Sequence, residues 1–197
     1  DITSTNETCL GDNDGTITIT ATCTTCISIE YSIDGGATFH AGNFFDNLAP
    51  AIYDVKVRDT ADPGCMDSGI ATVAPGDDEP PVFDPPLPED ITVSCSAPVP
   101  PPATLTATDN TDPNPAVAFS EVEEQSNPCP QERTITRTWT ATDFCGNSTQ
   151  HVQVIVVDDF TPPVFDGTLP EDITVSCSTP VPPPATLTAT DDCYSDV

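Results

Sequence analysis

The chain has 197 residues and a formal net charge of −28, set by 32 acidic residues against only Lys56, Arg58, Arg133 and Arg137. Such a potential excludes nucleic acid, whose phosphates need clustered cations, and disfavours anionic membrane surfaces. What it leaves is solubility in salty water, mutual repulsion of surface chains, or carboxylate clusters that hold calcium. No apolar span is long enough to cross a bilayer, and these residues show no positively charged start with an apolar core of the signal-peptide kind. The sequence therefore reads as a mature or excerpted extracellular piece whose anchor or sorting signal lies outside it.

Threonine, valine and isoleucine are abundant, prolines number 23, and no segment keeps apolar residues at the helical period, so the chain reads as all-β. In chain order, strand-like runs fall at 15–22 (GTITITAT), 27–33 (ISIEYSI) and 51–59 (AIYDVKVRD), with a turn at Asp34-Gly35-Gly36. Further runs fall at 91–95, 103–108, 116–122, 133–143 and 150–157, the last two joined by a hairpin at residues 143–147. Five or more short strands separated by turns make tandem immunoglobulin-like β-sandwiches the expected architecture, in a linear array.

Residues 80–110 recur at 162–192, an offset of 82, with 27 of 31 positions identical. A period of this length means tandem modules. The acidic-Pro-Pro stretches at 76–81 and 158–163 are equivalent stiff linkers, which gives modules at 1–76, 77–159 and 160–197. The third module holds only its first two strands, which should not be stable alone. Either the chain is an excerpt of a longer repeat protein, or a neighbouring chain completes the half-module by strand addition.

Two family likenesses rest on specific residues. Residues 9–17 (CLGDNDGTI), 31–39 (YSIDGGATF), 45–50 (FDNLAP) and 53–59 (YDVKVRD) resemble the repeat of SprB-type gliding adhesins. Residues 87–93 (LPEDITV), 137–143 (RTWTATD) and Cys145-Gly146-Asn147 resemble HYR-like (hyalin-repeat-like) domains. Both resemblances imply immunoglobulin-like folds in long, secreted bacterial cell-surface proteins that use type IX secretion, with adhesion or scaffolding as the role. Partners would be neighbouring modules, copies of the same chain, or surface glycans. The chain departs from the patterns at Cys23-Thr24-Thr25-Cys26 and at Thr111, whose copy is Cys193.

Nine cysteines suggest an oxidising compartment. Cys9 and Cys65 flank the strands of the first module, and joining them would contribute roughly 4 kcal/mol in the chain-entropy account. Cys23 and Cys26 read as a bridge across a turn, with a zinc half-site, a redox pair or free thiols as alternatives. In a sandwich, Cys95 and Cys129 share one pole, while position 111 and Cys145 share the other. With Thr111 in place, Cys145 is left as a free thiol or an intermolecular link, and Cys193 awaits a partner outside these residues.

The carboxylates offer two kinds of calcium site. Asp12 and Asp14 precede Gly15 as in the start of a calcium loop, although the distant bidentate glutamate is missing. Asp77, Asp78, Asp109, Asp112, Asp158 and Asp159 gather near the module junctions, where calcium or solvation would relieve their repulsion. Asn6, Asn147 and Thr60 fit short glycosylation patterns. His40 and His151 stand far apart with no nucleophile motif beside either, so no enzyme is expected. Trp139 is expected in the core; Arg137, on the same strand face, either stacks on it or meets a carboxylate.

Overall fold

The computed structural model describes residues 1–24, 26–125 and 131–194, and every regular element among them is a β-strand. The chain divides into two compact units. The first gathers residues 1–82, 108–116 and 142–149; the second gathers 83–107, 117–141 and 150 onward.

The first six strands are β1 (Ile2–Thr5), β2 (Gly15–Ile19), β3 (Ile29–Ser32), β4 (Phe44–Leu48), β5 (Ala51–Asp59) and β6 (Met66–Val73). They form two antiparallel sheets, ordered β1-β2-β4 and β3-β5-β6. Alternation in β2 buries Ile17 and Ile19 while its threonines face outward. Those isoleucines meet Val55, Ala71 and Val73 of the other sheet, with Tyr31, Phe45 and Leu48 at the margin. The result is an immunoglobulin-like sandwich around one core. The expected turn is present: Gly35 and Gly36 both have positive φ, and Asp34 accepts from the Thr38 backbone and side chain.

Later in the chain come β7 (Val82–Phe83), β8 (Ile91–Ser94), β9 (Ala107–Thr108), β10 (Ala116–Gln125), β11 (Arg133–Thr142), β12 (Ser148–Asp158), β13 (Val164–Phe165) and β14 (Ala189–Thr190). Their sheets are β10-β11-β12-β8, β7-β9 and β13-β14. In β11, Ile135, Arg137, Trp139 and Ala141 all point inward. Trp139 is 1% exposed, packs with Phe83 and Leu105, and donates its indole N–H to the Ala103 carbonyl at 3.0 Å. Arg137 meets a carboxylate: it donates to Glu121 at 2.7 Å and to the Pro100 carbonyl at 2.8 Å. Strand β8 exists because the edge of β12 accepts it in parallel, with Ile91 opposite Ile155 and Val93 opposite Val157.

The two copies of the repeat form a comparison inside one molecule. The pair β13-β14 sits 82 residues after β7-β9 and reproduces it. Yet Phe83 is 8% exposed and Phe165 is 54% exposed. Leu105 is buried and Leu187 is not; Ile91 lies in a strand, while Ile173 is exposed and outside any strand. Between residues 80 and 105 the two copies differ only at Pro85, Pro86 and Ala97, which are Gly167, Thr168 and Thr179 in the second. The described residues simply hold no counterpart of β10–β12 for the second copy.

Truncating Trp139 to alanine should therefore cost about 3–5 kcal/mol in urea unfolding, whereas Phe165→Ala should change stability by less than about 0.5 kcal/mol. Similar losses from both substitutions would mean that Phe165 is covered in solution.

Candidate functional site

Chemistry-bearing side chains concentrate where the β1–β2 loop of the first unit meets residues 74–79 and the 142–149 segment. The loop is built around Glu7, whose buried carboxylate accepts N–H bonds from Asn13 (2.6 Å), Gly11 (3.0 Å) and Gly76 (3.2 Å). These donors, the Asn13 N–H foremost, hold the Glu7 carboxyl below its ordinary range, against the opposing effect of burial. Asp14 is likewise lowered, by the Thr8 hydroxyl and N–H.

The same loop forms a parallel bridge between Cys9 and Asp77, with Leu10 N–H donating to the Asp77 carbonyl and Asp77 N–H to that of Thr8, both at 3.1 Å. The approach is so close that a Cβ on Gly76 would lie 2.6 Å from the Cys9 carbonyl carbon. Only glycine fits there. Beside this contact, Cys9 is bonded to Cys145, with 5.4 Å between their Cα atoms. Cys145 sits in the turn that follows Asp143, whose two oxygens accept the Asn147 backbone N–H and side-chain amide at 2.9 Å each.

The expected pairing of Cys9 with Cys65 is thus replaced, and the reason is geometric. Cys9 lies beside Gly76, past the end of β6, whereas Cys65 immediately precedes its start; eight residues of strand, about 26 Å, separate the two ends. Cys65 is an exposed free thiol. Cys145, expected to be unpaired or intermolecular, is bonded within the chain. Cys193, expected to lack a partner here, is bonded to Cys95 at a Cα separation of 5.7 Å. Cys95 follows β8 and donates its N–H to the carbonyl of Asp158, the last residue of β12. The expected mate of Cys95, Cys129, lies outside the described residues. Cys23 and Cys26 are joined to each other. Cys177, which the sequence reading passed over, is the second-copy counterpart of Cys95 and is free and exposed.

The candidate calcium residues separate into groups. Asp12 and Asp14 do not converge with a third acidic residue among the described residues, and the loop's N–H groups face the Glu7 carboxylate. Asp109 and Asp112 organise their own loop, Asp109 accepting from Thr111 and Asp112 N–H, and Asp112 from Asn114 N–H. Asp78 is exposed, and the Asp158 side chain accepts from Asp159 N–H. Two sets do converge. Asp77 meets Asp143 beside Cys145, and Asp159 meets Asp191 and Asp192 beside Cys193, with ligand atoms in each set within 4.8 Å of one another.

Of the glycosylation motifs, Thr60 and Asn6 are exposed, the Asn6 side chain accepting from Ala74 N–H; the Asn147 amide is engaged with Asp143. His40 packs edge-on against Phe45, and His151 lies between Phe83 and Trp139. At the Cys23–Cys26 end of the first unit, a cavity of about 410 Å³ opens, lined in part by Arg58, Asp59 and Cys65. Among the described residues, no aromatic ring lines it.

Gly76→Ala should push the β1–β2 loop away, lower stability by about 1–3 kcal/mol, and reduce the yield of the Cys9–Cys145 bond in non-reducing peptide mapping. In the native chain, thiol labelling should reach Cys65 and Cys177 and spare Cys9 and Cys145. The Glu7 carboxyl lies below its ordinary value of 4.5 in the folded state, so its contribution is complete above about pH 4.5 and is lost as pH falls through the folded value. Glu7→Gln should accordingly flatten the acid limb of the melting-temperature profile.

No curated protein sequence matches this chain. Among solved structures it is similar to fibronectin(III)-like modules of Clostridium thermocellum CbhA, with a TM-score of 0.31 and 15% identity over 81% of this chain and 95% of that one. Residues 83–157 match the family described as the HYR-like domain with 4 cysteines. This segment carries three, Cys95, Cys129 and Cys145, with Thr111 where the second copy has Cys193.

Proposed function

We propose that the chain is a section of a secreted cell-surface adhesin or extracellular filament, in which disulfide-stapled β modules serve as a stalk. The HYR-like match and the disulfides mark an extracellular adhesion-type module. The SprB-type likeness of residues 1–76, the bacterial surface and type IX export belong to this proposal, as does the division into modules at 1–76, 77–159 and 160–197. A structural role fits the absorption of both histidines into aromatic packing better than a catalytic one does.

The observation that carries the reading is the span of the staples. Cys9–Cys145 and Cys95–Cys193 bridge 136 and 98 residues, and their loops overlap. Tension applied at the two ends passes through the sulfur bonds and bypasses most of the chain. That is a property a load-bearing stalk needs and an enzyme does not. Glycan binding is the second reading. It draws on the cavity in the first unit, and it ranks second because no ring there offers a sugar a stacking face.

Single-molecule pulling should show a short unfolding extension for the oxidised chain. After reduction the extension should grow on the order of 450 Å, at 3.3–3.6 Å per released residue. Equal extensions before and after reduction would contradict a staple that carries load. Antibodies against the chain should also label intact, unpermeabilised cells, and binding on a glycan array would move the second reading to first place.

A further inference from the structure

We propose that Asp77 and Asp143 hold a divalent cation of the hard, oxygen-binding kind, calcium foremost, next to the Cys9–Cys145 bond. Both residues belong to the first compact unit. Asp77 is 8% exposed and Asp143 is 6% exposed, and their carboxylates converge with Cys145 Sγ to within 4.8 Å. Buried carboxylates this close repel one another unless a proton or cation lies between them.

Compensation from the protein is missing on one side. Asp77 Oδ1 accepts from Glu79 N–H, but Oδ2 is buried with no hydrogen-bond partner. The described ion pairs engage Arg58, Arg133 and Arg137 with Glu30, Glu123 and Glu121, so none of the arginines serves this site. Asp143, by contrast, is held in place by Asn147, which leaves its outer lone pairs directed rather than free to swing. An orphaned buried oxygen opposite a positioned carboxylate is half of a coordination shell.

The donor chemistry selects the ion. Cys145 sulfur is bonded to Cys9 and is no thiolate, which removes the ligand that zinc or copper would favour. Oxygen remains, including the Thr8 carbonyl 3.7 Å from Cys145 Sγ, and water can fill the other positions calcium takes. A different carboxylate set gathers at the equivalent position of the second copy: Asp159, 82 residues after Asp77, meets Asp191 and Asp192, the counterparts of Asp109 and Asn110 rather than of Asp143. A cation at Asp77 would tie the 143–147 turn to the Cys9–Asp77 bridge, clamping by charge what the disulfide clamps covalently. The proposal does not depend on the adhesion reading.

Titrating the oxidised full chain with calcium chloride in a calorimeter tests it. Binding in the range typical of extracellular modules, roughly 10⁻⁴–10⁻³ M, is expected, together with a melting temperature that rises with calcium. Asp77→Asn, nearly isosteric, should remove one equivalent or weaken it by more than about tenfold, and Asp143→Asn should do the same; Asp159→Asn should leave that equivalent intact. No binding by the native chain overturns the proposal. So does native stoichiometry and affinity retained in both variants, and so does a stability that responds to pH alone, which would place a shared proton between the carboxylates. The titration of the native chain decides the matter even if either variant fails to fold.

Discussion

A short strand persists only where a neighbour completes its hydrogen bonds and an opposing face covers its apolar side. That constraint governs this molecule. The segments at 80–110 and 162–192 have nearly the same sequence, yet Phe83 is buried and Phe165 is not. In the first copy, β11 brings Trp139 down on Phe83 and Leu105, and β12 lends its edge to β8. The indole N–H reaches the Ala103 carbonyl, so the largest side chain in the core also satisfies its polar atom. Without those strands, the same residues form only the two-residue pairing of β13 with β14.

The β1–β2 loop of the first unit follows the same logic of mutual support. Glu7 gathers three backbone N–H groups and so shapes the loop that carries Cys9. Gly76 permits the contact, the Cys9–Asp77 bridge fixes it, and the disulfide to Cys145 seals it. A net charge of −28 first reads as a solvated surface, and much of it is. Several carboxylates, however, act as acceptors for otherwise unpaired turn donors: Asp14 for Thr8, Asp34 for Thr38, Asp109 for Thr111 and Asp112. A short acidic side chain does this at small entropic cost, which suits a chain with many turns and few lysines.

Much of the strand content was legible in advance because alternation is a local property. The runs at 15–22, 51–59 and 133–143 each contain a strand, the run at 150–157 lies within one, and Trp139 sits in the core as its place in the alternation implies. Strands β1, β4 and β6 carried weaker signals. β6, MDSGIATV, contains a glycine and exposed polar residues, and it is a strand because β5 pairs with it along its whole length. Arg137 was ambiguous in the sequence, since its strand face was clear but its partner, Glu121, depends on where β10 lies.

The sequence by itself determined the all-β class, the repeat with its 82-residue offset, and the concentration of carboxylates in the acidic-Pro-Pro stretches at 76–81 and 158–163. Each is written in neighbouring residues or in their recurrence. Tertiary structure alone decided which cysteines join and which aspartates converge. Pairing depends on which loop ends meet in space. Cys9, between β1 and β2, and Cys65, just before β6, stand a full strand length apart in the fold, while Cys145, 136 residues from Cys9 along the chain, is adjacent to it.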